Sequence, residues 1–134
     1  MLNFLEQAEK LIAINSVSQQ GNEEIAVYLQ SLMGKMGMKT QLQEVSHSIE
    51  GVSKRQFNVI GIQGDTLVDS RTRKGLLLNT HIDTVGPGLK SHWTETGQDP
   101  FKATIKDNQI FGLGSADVKL DFLCKLNAIE RYRE

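Results

Sequence analysis

Residues 75–81 read Gly-Leu-Leu-Leu-Asn-Thr-His, and no other stretch constrains the fold as strongly. A strand with one wet face alternates apolar and polar side chains, whereas a strand covered on both faces is apolar without interruption. The run is also short for a buried helix. It therefore predicts a central strand with other layers on both sides. His81 and Asp83 follow at its carboxyl end, where open α/β sheets place their sites.

The flanking segments supply those layers. Residues 2–15 carry Leu5, Ala8, Leu11 and Ile12 at helical spacing. A second helix is expected after Gly21, with Asn22 as N-cap and Glu23 and Glu24 on the positive end of its dipole. Its stripe is Ile25, Leu29, Leu32, Met33 and Met36, and Gly37 ends it. Residues 39–45 alternate and predict a strand, residues 46–55 a loop containing His47, and residues 56–62 another strand. Residues 63–74 read as a polar connection. Residues 101–112 predict a hairpin turning at Asp107-Asn108, with Ile105 opposite Ile110. A last helix is expected from Asp117 to about residue 133, burying Leu123, Leu126 and Ile129. Helices interleaved with strands give an α/β class with a mixed sheet flanked by helices.

Composition narrows the partners. The net charge is -1, so the chain lacks the basic excess that nucleic acid or an anionic membrane would select. Its densest basic stretch, residues 71–74, is short and reads as a solvated loop. The single Cys124 excludes an internal disulfide and is expected to be a small core residue. The first ten residues carry acids early and contain no long apolar run. No signal peptide or membrane span is expected, which makes the cytoplasm the default location.

Chemistry concentrates at three side chains. If His81 and Asp83 remain extended, they share one face of the strand. A neutral imidazole binds zinc through one nitrogen, and a carboxylate on the other N–H fixes the ring and raises its basicity. The pattern His-x-Asp is short, however. Taken alone, it is better explained as a strand-end histidine beside an aspartate that caps the following turn. Asp117 follows the glycines of Gly112-Leu113-Gly114-Ser115-Ala116 and would equally serve as an ordinary N-cap. That stretch lacks the third glycine of a dinucleotide fingerprint and the Gly-Lys-Ser/Thr of a P-loop. No Gly-x-Ser-x-Gly is present to suggest a serine hydrolase.

In order, Thr80-His81-Ile82-Asp83-Thr84-Val85, then Trp93 and Asp99-Pro100-Phe101, then Gly112-x-Gly114-x-x-Asp117-x-Lys119 form a recognisable set. It resembles the zinc-dependent family of acetylornithine deacetylase, succinyl-diaminopimelate desuccinylase, aminoacylase and glutamate carboxypeptidase. The resemblance implies that His81 binds one zinc, that Asp83 is the catalytic-site acid orienting it, and that Asp117 bridges two metals. It implies zinc, with cobalt as a substitute, and two metals in the complete site. It also implies a cis peptide after Asp117. The family usually continues Asp-Met-Lys-Gly-Gly, whereas this chain has Asp117-Val118-Lys119-Leu120-Asp121.

The resemblance implies further parts as well. A general base in a Glu-Glu pair, a late histidine ligand and an inserted dimerisation domain belong to the family but match nothing in residues 1–134. His47 and His92 stand in no matching motif. Residues 1–134 are therefore expected to form the N-terminal part of a metallohydrolase catalytic domain. The implied activity is hydrolysis of amide or peptide bonds in small N-acyl amino acids or peptides, incomplete in this chain. The alternative is a non-catalytic remnant acting as a binding or assembly module. Without the neighbours that the missing part would supply, the chain is expected to expose apolar surface and to self-associate.

Overall fold

The computed structural model describes residues 2–49, 52–64 and 75–132. Helix α1 spans Phe4–Ala13, α2 Glu23–Lys35 and α3 Lys119–Tyr132. Strands β1 (Lys39–Ile49) and β2 (Val52–Ile62) form one antiparallel pair, and β3 (Thr104–Lys106) and β4 (Gln109–Phe111) form another. Short 3-10 turns lie at Ser18–Gln20, Lys90–His92 and Thr94–Thr96.

The helices form where the apolar spacing expects them. Asn3 caps α1 by accepting a bond from the Glu6 amide, and Ala8, Leu11 and Ile12 are buried. Leu5 was expected on that stripe but is exposed, because the helix meets its neighbours over a narrower arc. The α2 stripe is buried at Ile25, Leu29, Leu32 and Met33, with Met36 packed at its margin. One core joins these residues to Leu120, Leu123 and Leu126 of α3. Burying each such side chain stabilises the fold by about 1.5–3 kcal/mol.

Helix α2 also lies against the β1–β2 pair. A Cβ added at Gly61 would stand 2.3 Å from the Met33 sulfur, so the methionine side chain would have to shift to admit any other residue. Asn22 does occupy the N-cap position of α2, but its side chain does not cap the helix. It bridges to β2 instead, accepting from the Phe57 amide at 2.7 Å and donating to the Phe57 carbonyl at 3.0 Å.

Residues 46–55 correct the sequence reading. The loop expected there is strand on both sides: β1 runs to Ile49 and β2 begins at Val52. Serines and charges hid the extended backbone, whose stability comes from cross-strand pairing. The His47 side chain lies outside the described residues, as do residues 65–74 with the basic stretch. The second hairpin matches its expected register, Ile105 opposite Ile110. Asp107 and Asn108 both have positive φ, as a type I′ turn requires.

The larger correction concerns residues 75–81. They form no strand, and Leu76 and Leu77 are 85% and 87% exposed. The α/β class holds, but both sheets among the described residues are antiparallel pairs. The parallel component is reduced to an isolated bridge between Val17 and Thr84. A central strand needs neighbours on both edges, and the described residues place none beside the leucines. Cys124 also departs from expectation: it is exposed on α3, opposite the buried Leu123 and Leu126.

Candidate metal centre

The segment carrying His81 is held by polar contacts at both ends. Beyond it, the Ser18 amide donates to the Thr84 carbonyl at 3.0 Å and the Thr84 amide to the Ser16 carbonyl at 2.9 Å. Before it, Thr80 donates to Asp121 at 2.5 Å, and the Lys125 ammonium reaches the Asn79 carbonyl at 2.7 Å. Lys125 also pairs with Asp121. Asp121 is thus a tether from α3 to this segment. Lys125 first, and Thr80 second, hold the Asp121 carboxyl below its usual range.

Asp117 sits in the turn before α3, two residues ahead of the first helical residue, and so is not its N-cap. Two glycines and a lysine fix that turn. A Cβ at Gly112 would meet the Ile12 side chain at 2.5 Å, and one at Gly114 would meet the Lys119 stem at 2.7 Å. Lys119 is 2% exposed. Its ammonium donates to the Ile14 carbonyl at 2.6 Å and the Ile12 carbonyl at 3.3 Å, satisfying carbonyls that the end of α1 leaves unpaired. Burial pushes its pKa down to about 8, against a smaller upward pull from Glu24. The Asp117–Val118 peptide is cis.

These supports bring the three candidate side chains together. His81 Nδ1 lies 3.2 Å from Asp83 Oδ1 and 3.1 Å from the Asp83 carbonyl. His81 Nε2 lies 3.1 Å from Asp117 Oδ1. All three side chains are substantially exposed. The second oxygen of Asp83 accepts from Ser18 at 2.6 Å. His92 is exposed and lines the same cleft as Asp117, together with Trp93. Trp93 anchors its own loop by donating to the Pro87 carbonyl at 2.7 Å, and Asp99 caps the Pro100-Phe101 turn by accepting from the Phe101 amide at 2.9 Å. Among the described residues, no group of three or more His, Cys, Asp or Glu side chains is arranged to hold a metal ion.

Ser18, Lys119 and Asp121 were not singled out as site residues from the sequence. Ser18 and Asp83 are 65 positions apart, so no local spacing marks the pair. Lys119 left a weak signal, a lysine two residues after the candidate aspartate and five after a glycine.

Comparison with known proteins fits this arrangement. The family model described as Peptidase family M20/M25/M40 matches residues 77–134, which contain all three side chains. Over those residues the chain resembles Peptidase family M20/M25/M40. An acetylornithine deacetylase of Photorhabdus laumondii is 33% identical over 132 residues, covering 94% of this chain and 30% of its own. That of Yersinia pestis is 32% identical, covering 94% of this chain and 31% of its own. That of Pectobacterium carotovorum is 33% identical with coverages of 94% and 30%. The chain spans about a third of the length of these curated relatives. No solved structure matches it significantly. No helix among the described residues is long and apolar enough to cross a membrane.

Proposed function

We propose that residues 1–134 are the N-terminal part of a metal-dependent amide hydrolase, in which His81 and Asp117 hold zinc and Asp83 orients His81. One observation carries the reading: both ring nitrogens of His81 face carboxylate oxygens. A neutral imidazole has one N–H, and a carboxylate oxygen only accepts. Two acceptors stand at Nδ1, which marks it as the protonated nitrogen. Nε2 then turns a lone pair toward Asp117, an arrangement that a cation between the two relieves.

The donor set fits zinc. With arms of about 2.0–2.2 Å, a nitrogen and an oxygen at adjacent tetrahedral positions stand about 3.3–3.6 Å apart. The 3.1 Å between His81 Nε2 and Asp117 Oδ1 is shorter than that span, so the two side chains would part by a few tenths of an ångström to take the ion. A bound zinc or cobalt ion supplies Lewis acidity toward a carbonyl and acidifies water. Asp83 supplies orientation: its carboxylate and carbonyl hold the ring by Nδ1 and leave Nε2 free for the ion. Asp117 supplies a second negative donor on a turn pinned by Lys119. The names of the relatives make an N-acyl amino acid such as N-acetylornithine the first substrate class to test. A second metal, a general base and a cytoplasmic location belong to the same proposal.

Two donors leave half of a four-coordinate sphere to water, so this chain should bind metal weakly and turn over N-acetylornithine, N-succinyl-diaminopimelate and dipeptides negligibly. The test is a cobalt titration followed by visible absorption, with parallel amide-hydrolysis assays. We expect saturable binding that His81→Ala and Asp117→Ala each abolish. Equal binding by both variants would overturn the site. Metal-dependent turnover abolished by both substitutions would instead show that these residues need no further chain.

A second reading rests on the bare leucines. Leu76, Leu77 and Leu78 present contiguous apolar side chains to solvent. That surface supports self-association or an assembly role without catalysis.

A further inference from the structure

Asp83 uses both of its oxygens. Oδ1 faces His81 Nδ1 at 3.2 Å, and Oδ2 accepts from the Ser18 hydroxyl at 2.6 Å. The hydroxyl also lies 3.2 Å from the Thr84 carbonyl, but it has one proton to give. The shorter contact to a charged acceptor takes it. Ser18 itself stands on a fixed backbone. Its amide donates to the Thr84 carbonyl at 3.0 Å, and its own carbonyl accepts from the Gln56 side chain at 2.9 Å. Gln56 belongs to β2, which Asn22 ties to the start of α2. The hydroxyl is thus presented from the packed side of the molecule to a carboxylate on the exposed segment.

A carboxylate that is 42% exposed rotates about its terminal bond unless something stops it. Rotation would carry Oδ1 away from His81, leaving the ring held at Nδ1 by the Asp83 carbonyl alone. We propose that Ser18 is a positioning residue for His81: by holding Oδ2 it locks the Asp83 carboxylate in the plane that fixes the imidazole, so that Nε2 is aimed at Asp117. The assignment rests on the metal-centre reading given above. It concerns a residue outside the segment matched by the family model.

The structure also says why a substitution should be clean. All the backbone bonds of Ser18 survive the loss of its hydroxyl, so Ser18→Ala removes the clamp and leaves the turn in place. Partners that orient a ligand histidine typically change metal affinity about 10–100-fold. Ser18 acts one contact further out, so we expect a cobalt dissociation constant raised about 3–10-fold.

The test uses the full 134-residue chain labelled with nitrogen-15 in its histidines. Without metal, at alkaline pH, the ring nitrogen shifts report which nitrogen of His81 carries the proton. The same samples are then titrated with cobalt. In the parent chain His81 should be chiefly the Nδ1–H form. Ser18→Ala should lower that population and weaken cobalt binding, and Ser18→Thr should restore both. In an Asp83→Ala background, Ser18→Ala should have no further effect, since the hydroxyl acts through the carboxylate. Ser18→Cys keeps the size with a weak donor and serves if the alanine variant does not fold. An unchanged tautomer ratio and unchanged cobalt affinity in Ser18→Ala would overturn the proposal. So would an undiminished effect when Asp83 is already alanine. If cobalt binding fails in the parent chain, the metal-centre reading falls, while the tautomer measurement still decides whether Ser18 positions His81.

Discussion

Two apolar stretches of this chain meet opposite fates. Leu29 of α2 is 1% exposed, within the core cluster that also holds residues of α1 and α3, whereas Leu77 is 87% exposed. The difference is not hydrophobicity but supply of neighbours. The stripe of α2 is complemented within about thirty residues on either side, by α1 before it and the hairpin after it. The leucines at 76–78 call for strands on both edges, and the described residues provide none. Residues 75–84 are instead held by polar contacts: Thr80 and Asn79 to α3, and Asp83 and Thr84 to Ser18 and Ser16. One part of the molecule is stabilised by packing, and the part carrying His81 chiefly by hydrogen bonds, with Ile82 packed against the margin of the core.

The most direct way to break this contrast is to truncate one leucine from each region. Leu29→Ala should cost about 2–5 kcal/mol, enough to unfold much of a small domain. Leu77→Ala should stay within about 0.5 kcal/mol, as surface substitutions do. Urea denaturation followed by far-ultraviolet dichroism checks both. A comparable loss at Leu77 would mean that these leucines are covered in solution, by self-association for instance, and sedimentation at several concentrations would detect that.

This contrast also explains what could be read in advance. The helices were legible because an apolar stripe at 3.6-residue spacing is local information. The β3–β4 hairpin was legible because its turn and its two isoleucines lie within six residues of each other. The extent of β1 and β2 was not, because residues 46–55 pair with each other through backbone and offer no apolar alternation. The fate of residues 75–81 was not, because strand pairing depends on which chain stands alongside. The candidate site was half legible. His81, Asp83 and Asp117 come together as the motif set requires, but their supports Ser18, Lys119 and Asp121 act across 41 to 107 positions.

The next prediction sharpens the comparison at the joint between the regions. Lys119 is a buried amine whose pKa falls to about 8 from an ordinary 10.5, so between those values the unfolded chain binds more protons than the folded one. Stability should therefore rise with pH in that window. The slope approaches ~1.4 kcal/mol per pH unit midway between those values, giving ~2 kcal/mol between pH 8 and 10. Above pH 10 the gain should fade, because burial has pushed the Tyr28 phenol upward and its ionisation favours unfolding. Lys119→Met should be flat between pH 8 and 10. Denaturation midpoints at half-unit intervals decide it, and a fall in stability over that range in the parent chain would show that the carbonyls of Ile12 and Ile14 hold the charged form.

The smallest effect tests whether polar contacts alone hold the exposed segment. Thr80→Val keeps the shape of the side chain and removes the hydroxyl that Asp121 accepts from. Because the lost bond is a single contact on a largely exposed segment, the global unfolding midpoint should barely move. The local consequence should be visible instead. Backbone order parameters at residues 79–81 should fall from the rigid range of about 0.85 toward values below about 0.6. Acid should imitate the substitution. The Asp121 carboxyl is depressed by Lys125 and then Thr80, so its contribution is full above the ordinary 3.8 and disappears as pH falls through the lower folded value. In the parent chain, relaxation measured on descending pH should show residues 79–81 loosening below pH 3.8 while α2 remains ordered. Simultaneous loosening of both would mean that the segment belongs to the same cooperative unit as the core, and the division between packed and tethered regions would fail.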